Sequence, residues 1–362
     1  MSTSIAAERP ADATDVVETV ARLRRTAEAA GRWLVDRIDS SGKPAGADIA
    51  NVWWRVPWAL TLLGERDAAA AMLSWIEREA LDDQGDLRPG PARGSGPVSP
   101  VYSLSHISIA AFLLNRYDTA RLVYAKVASF QHPTGGGVLR YRDGRGEEQD
   151  LLLTTQLGLL AVIAGDLDVA GRVYNGIRTM WQLQPELGRL RLYSNWSPGG
   201  LITEFPAAEA WSKFADFNAP RQAFYHPGAV AAFFADYAMR TGDREAIALA
   251  RDMMQLNIGG CDEQFTDLSS VQICKFGWGA AQLLIADPHG GWLAHALRMA
   301  EWFIDRQEAD GSWIPSTFQL TKPAGDMDKM WKTAEHLMES CLLGAALAGS
   351  DRPGRIGSRL EP

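Results

Sequence analysis

Two kinds of apolar segment alternate along the chain. The first carries its hydrophobic residues on one helical stripe, as over Thr14 to Ile38, where Val16, Val20, Leu23, Ala27, Ala30, Leu34 and Ile38 recur at helical spacing among Arg and Glu. The second is apolar nearly all round, as over Asn51 to Leu63 with Trp53, Trp54 and Trp58, and Pro57 sits near its start, where a missing N–H matters least. A one-sided stripe covers a core, whereas a helix apolar on every side is itself covered. The pattern predicts further outer helices over 67–81, 119–131, 169–184, 244–256 and 292–307. It predicts further inner helices over 101–115, 150–164, 227–239, 270–285 and 328–348. The expectation is an all-α chain of twelve helices, six outer and six inner.

Two sets of turns punctuate this alternation. Gly64-Glu-Arg-Asp67, Asn115-Arg-Tyr-Asp118, Gly165-Asp-Leu-Asp168 and Thr241-Gly-Asp243 join an inner helix to the following outer one, with Gly as a stop and Asp as a start. The return loops carry Asp39-Ser-Ser-Gly42, Asp83-Gln-Gly85, His132-Pro-Thr-Gly135-Gly136, Pro185-Glu-Leu-Gly188, Asn257-Ile-Gly259-Gly260 and Asp310-Gly311. Glycines at 42, 85, 136, 188, 260 and 311 are separated by 43, 51, 52, 72 and 51 residues. A repeat of about fifty residues marks stacked supersecondary units, and six of them close a ring.

The long interval holds an insertion over 190–225 with Tyr193, Trp196, Phe205, Trp211, Phe214, Phe217 and Phe224. So many aromatics predict an ordered lid or rim over the mouth of the ring, or a packing insert at a subunit contact. The expected organisation is one domain over 1–350, followed by a loose tail at 351–362.

Composition narrows the partners. A net charge of -8 and a pI of about 5.4, with no dense basic cluster, disfavour nucleic acid and acidic membranes. The first residues have no signal-peptide core and no apolar run is long enough to span a bilayer, so a cytoplasmic location is expected. Cys261, Cys274 and Cys341 show no CxxC spacing and are read as free thiols. No cofactor and no metal are expected; a small-molecule substrate is, and homo-oligomers are possible.

In such a ring the N-termini of the inner helices converge on one face, where backbone N–H groups and the positive dipole ends suit a polar or anionic substrate. Asp150 and Asp328 form the preferred acid/base pair, with Asp48 and His226 as further catalytic candidates. Each Asp also stands where a helix N-cap would. The expected substrate-binding set is Trp54, Arg55, Tyr102, His106, Gln156, Tyr225, Cys274, Lys275, Trp331, Lys332 and His336. Inward-facing Arg55, Lys275 and Lys332 imply an anionic group on the substrate, and the indoles suit a sugar ring or a carbocation. Cys274 has no neighbouring base to activate it as a nucleophile.

The stretch Gln307-Glu-Ala-Asp310-Gly311-Ser-Trp313 resembles the QW-type motif of squalene-hopene cyclases and prenyltransferase repeats, and the six-fold hairpin pattern is similar to the (α/α)6 toroid class as a whole. That class includes terpenoid cyclases, six-hairpin glycosidases, uronyl hydrolases, sugar epimerases and lanthionine synthetases. The resemblance implies a structural clasp at Gln307 and Trp313. It stops short of the cyclase Asp-x-Asp-Asp acid, because Asp326-Met-Asp328-Lys329 is one carboxylate short, and of the Cys, Cys, His zinc set of the synthetases. Three functions stay open: a hydrolase, lyase or isomerase acting on a carbohydrate or similar polar metabolite, an isoprenoid or natural-product cyclase, dehydratase or isomerase working by protonation, and a non-catalytic binding toroid.

Overall fold

The computed structural model describes residues 13–94, 96–315 and 324–350; the tail expected to be loose, 351–362, lies outside them. Twelve long helices are present among the described residues. They are α1 (Ala13–Val35), α2 (Val56–Leu63), α3 (Arg66–Trp75, prolonged by a π turn over Ile76–Ala80), α4 (Val101–Leu113), α5 (Tyr117–Ala128), α6 (Leu151–Ala164), α7 (Leu167–Gln182), α9 (Tyr225–Thr241), α10 (Arg244–Ile258), α12 (Cys274–Ala286), α13 (Trp292–Asp305) and α14 (Asp326–Ser350). The single-turn helices α8 (Ala210–Lys213) and α11 (Glu263–Thr266) lie in the connections. Helices α2, α4, α6, α9, α12 and α14 pack in succession, and α14 returns to α2, so the inner ring closes. Helices α1, α3, α5, α7, α10 and α13 form the outer ring. No helix among the described residues is long and apolar enough to cross a membrane.

The fifty-residue repeat has a physical cause. At Gly42, Gly85, Gly136 and Gly311 the backbone takes a positive φ. A Cβ there would fall 2.1, 2.8, 2.2 and 2.7 Å from the carbonyl oxygens of Ala71, Leu122, Arg172 and Ala29 respectively. Each loop thus rests on the next outer helix, α3, α5, α7 and finally α1, and only glycine fits both the turn and the approach. Gly188, just before the insertion, and Gly260, after α10, do not meet the next outer helix; a Cβ on Gly260 would instead face the Phe217 carbonyl at 2.7 Å and the Leu256 carbonyl of its own preceding helix at 2.9 Å.

The QW-like stretch makes the last of these contacts. Gln307 Nε2 donates to the Thr26 carbonyl at 2.8 Å, Trp33 Nε1 donates to Asp310 at 3.2 Å, and Trp313 Nε1 donates to the Phe303 carbonyl at 3.0 Å. One loop therefore binds α1 to α13 and α14 and shuts the ring, as the resemblance implied.

Two features differ from the sequence reading. Inner helix α2 begins at Val56 rather than Asn51, because Pro57 lies in its first turn and fixes the start. The insertion brings short strands: its β4 (Asn195–Ser197) and β5 (Gly200–Leu201) join β1 (Val138–Leu139) and β2 (Gln149–Asp150) of the α5–α6 connection in one sheet of order β1-β2-β4-β5, and its β3 (Arg191–Tyr193) pairs with β6 (Phe214–Asp216). Strands of two or three residues leave no detectable alternation. Through β2 and β4, in the register Asp150↔Asn195, the insertion lies against the entrance to α6.

Close approach also fixes the site from below. A Cβ on Gly228 of α9 would sit 2.0 Å from the Lys275 carbonyl in the first turn of α12. Gly228→Ala is expected to separate these helices and destabilise the protein by roughly 2 kcal/mol, the cost of overpacking, read as a shift in the urea midpoint with an unchanged slope.

Candidate functional site

Three inner helices send charged side chains to one buried cluster, and a fourth, α4, adds a phenol and an imidazole. Arg55 precedes α2, Lys275 opens α12, and Lys332, Glu335 and Glu339 lie on one face of α14 at spacings of three and four residues. Glu335 Oε1 accepts from Arg55 Nη2 at 2.9 Å and Lys275 Nζ at 2.6 Å, and its Oε2 accepts from Lys332. Lys275 also reaches Glu339 Oε1 at 2.6 Å. From α4, the Tyr102 hydroxyl is hydrogen-bonded to Arg55, and His106 Nδ1 donates to the Tyr102 carbonyl at 2.7 Å. That tautomer leaves His106 Nε2 to accept from Arg55 Nε at 3.4 Å.

The two carboxylates are driven apart. Burial opposes ionisation of both, but three cations around Glu335 hold it well below the usual carboxylate range. Burial dominates at Glu339, which is raised; its Oε2 has no partner, and the charge on Glu335 adds to the effect. His106 and His336 are kept neutral, primarily by burial and then by neighbouring cations.

A second cluster surrounds Asp150, which is 8% exposed. Its Oδ1 caps α6 by accepting from Leu153 N–H at 3.1 Å, and its Oδ2 accepts from Arg140 Nη1 at 2.7 Å. Glu148 accepts from Asn195 Nδ2 and Lys213 Nζ at 3.0 Å each. Both donors come from the insertion, which therefore supplies part of the site. Tyr225 and His226, at the start of α9, lie within electrostatic reach of Asp150 and Arg140. Burial, then the Asp150 charge, raises the Tyr225 phenol, so it keeps its proton; burial lowers His226 to about 4. Trp54, Tyr102, Tyr225 and Trp331 are half-buried, and Trp54, Tyr102 and Trp331 put aromatic faces against Arg55 and Lys332.

Most of the residues singled out from sequence meet here, with two exceptions. Asp48 is exposed and paired with Lys43 at 2.7 Å, since the later start of α2 leaves it in a loop. Asp328, expected opposite Asp150, is half-buried at the start of α14, where its Oδ2 accepts from Gly325 N–H at 3.0 Å; this is helix-start capping. Gln156 is fully buried with neither amide atom paired. Sequence reasoning missed Glu339, Arg140, Glu148, Asn195 and Lys213, and passed over Glu335 when choosing site residues. The polar stripe 332, 335, 339 on an inner helix was the available signal.

Cys274, Glu335 and His336 place possible metal-ligand atoms within 4.8 Å of one another. The trio suits a cation poorly. Both oxygens of Glu335 are engaged by Lys or Arg, three positive charges stand beside any dication there, and burial pushes the Cys274 thiol well up. A groove of about 620 Å³ lined by Leu23, Leu63 and Cys341 lies between α1, α2 and α14 and contains none of these buried charges.

His336 offers a clean test of the cluster's electrostatics. Its ring meets Trp302, Phe303 and Trp313 edge-on and neither nitrogen has a partner. With its folded pKa below its unfolded one, His336 costs no stability above about pH 6.5 and weakens the fold as pH falls through that range. His336→Phe is expected to melt at or above the parent temperature at pH 7.5. Its advantage should grow by about 1.4 kcal/mol by pH 5.5, and denaturation at the two pH values checks this.

No family model matches the chain, and no curated protein matches it in sequence. Solved structures do. The type II terpene cyclase MstE from Scytonema superposes with a TM-score of 0.60 at 13% identity, covering 90% of this chain and 99% of that one. A GH76A α-1,6-mannanase from Salegentibacter gives 0.62 at 13% identity, with 89% and 99% covered. A family 76 glycoside hydrolase from a bovine Bacteroides thetaiotaomicron strain gives 0.61 at 12% identity, with 89% and 77% covered. The chain is an (α/α)6 toroid, and likeness at this identity carries the fold alone.

Proposed function

We propose that this toroid is an acid/base enzyme, a hydrolase, lyase or isomerase, acting on a carbohydrate or comparable polar metabolite at the mouth of the inner ring. The observation that supports it most is a set of buried polar atoms without partners: Arg55 Nη1, both amide atoms of Gln156, His226 Nδ1 and Gln272 Oε1. Each such atom costs about 1–3 kcal/mol while buried without a partner, which a ligand that pairs them would recover. All six inner helices contribute to the two clusters, and the donors and acceptors left over are available to a ligand.

The roles follow from charge state. Asp150 is the carboxylate, oriented by Arg140. The Tyr225 phenol retains its proton and is the donor, and His226, neutral above about pH 4, is an acceptor. Trp54, Tyr102 and Trp331 provide faces for a sugar-like ring.

The cyclase reading has the aromatic rim in its favour and the charged wall against it. A non-catalytic binding toroid is favoured by the pairing of polar entrances with one another. Among the similar structures are one of MstE with geranylgeranyl dihydroxybenzoate and one of the mannanase with α-1,6-mannotetrose. Incubating the purified protein with mannooligosaccharides, uronic-acid oligosaccharides and prenylated benzoates, with product detection by mass spectrometry, separates the readings. Turnover of a polar substrate is expected; turnover confined to the prenylated compounds would transfer the site to cyclase chemistry.

A further inference from the structure

The central cluster does not balance its own charge. Lys275 bridges Glu335 and Glu339, while Arg55 and Lys332 both fall on Glu335, so three cations share two carboxylates. Among the described residues, the remaining groups packed against them supply no further anion. His106 presents a lone pair to Arg55, Tyr102 its hydroxyl and Cys274 a thiol. Arg55 uses Nε and Nη2 and leaves Nη1 unpartnered, although the side chain is 3% exposed.

The surroundings of Arg55 and Lys332 are aromatic. The guanidinium carbon is 4.2 Å from the Trp54 ring centre and 4.9 Å from that of Tyr102, and Lys332 Nζ is 4.4 Å from that of Trp331. Ring faces attract cations but carry no full charge. What completes the set is an acceptor with two oxygens, matching the guanidinium fork, on a body that can lie against indole and phenol.

We infer that the mouth takes an organic anion, its carboxylate or phosphate received by Arg55 and Lys332 and its body laid against Trp54, Tyr102 and Trp331. This rests on the mouth being the substrate site of the proposed enzyme. It makes Lys332 a ligand-binding cation: Glu335 keeps Arg55 and Lys275 without it, so the fold does not require it.

The test uses the full chain and two readouts. Calorimetry and thermal shift at matched ionic strength compare D-glucuronate, glucose 6-phosphate and benzoate with neutral D-glucose, for the parent and Lys332→Met. An anion is expected to bind at millimolar concentration or below, with D-glucose at least about tenfold weaker, and Lys332→Met to lose about tenfold or more. A preference for glucose 6-phosphate over D-glucuronate identifies phosphate as the source of charge, and the reverse identifies carboxylate. Without any ligand, Lys332→Met is expected to melt no lower than the parent, since it removes the surplus charge. Equal affinity for D-glucose and D-glucuronate, no binding by any of the three anions, or a melting loss in Lys332→Met as large as that in Glu335→Gln would overturn the inference. Anion binding without turnover of any substrate leaves this inference standing and removes the acid/base reading; turnover of neutral glycosides with no preference for anions does the opposite.

Discussion

Glu335→Gln is expected to lose about 3–5 kcal/mol of stability, the cost of stranding a buried charge, and to melt on the order of 5–10 °C lower. Glu335 is the shared counterion of Arg55, Lys275 and Lys332, and all four side chains are buried. Glutamine keeps the shape and removes the charge, leaving three cations with Glu339 alone, which touches only Lys275. Against a total stability of roughly 5–15 kcal/mol this is a large share. The loss should also resist salt, because a dry cluster is screened far less than a surface pair. A melting temperature unchanged from the parent would mean that water reaches these groups and compensates for the missing charge.

The ring was legible in the chain because its helices are long enough to show several turns of period. The stripe Val16, Leu23, Ala27, Ala30, Leu34 and the all-round apolar character of Leu151–Ala164 distinguish outer from inner without any tertiary information. The glycine spacing was legible for a different reason: four of the six loops meet the same object, a carbonyl of the next outer helix, so the same residue recurs. Reading Asp48 as a cap failed because the first turn of α2 is set by Pro57, nine residues beyond it in the sequence. Asp328 was correctly placed at a helix start, yet its Oδ2 is occupied by Gly325 N–H.

The second cluster was illegible for a stronger reason. Arg140 and Glu148 sit in a loop, and only the pairing of β2 with β4 brings Asn195 to them, with Lys213 and Ser212 following from the same insertion. Contacts between residues 45 to 72 positions apart leave no trace in local periodicity. Glu335 and Glu339 could have been found, since two acids and a lysine on the buried face of an apolar helix have to pair with something.

The second large effect concerns activity. Asp150→Asn is expected to lower turnover of a polar substrate by about 10²–10⁴-fold, the usual contribution of a positioned acid or base. Asparagine caps a helix as well as aspartate does, so Leu153 N–H keeps its acceptor. Arg140 keeps Glu148 at 3.5 Å, which limits the structural cost to about 1–2 kcal/mol. The mutation therefore separates the charge on Asp150 from its role in the fold.

That separation makes a paired measurement on Asp150→Asn the most direct test of the claim that the mouth is a working site. Turnover and melting temperature are recorded on the same preparation as the parent. A near-parental melting temperature with turnover reduced at least about a hundredfold is expected. Parental turnover in a protein that melts with the parent would contradict it and leave Asp150 as a cap on α6.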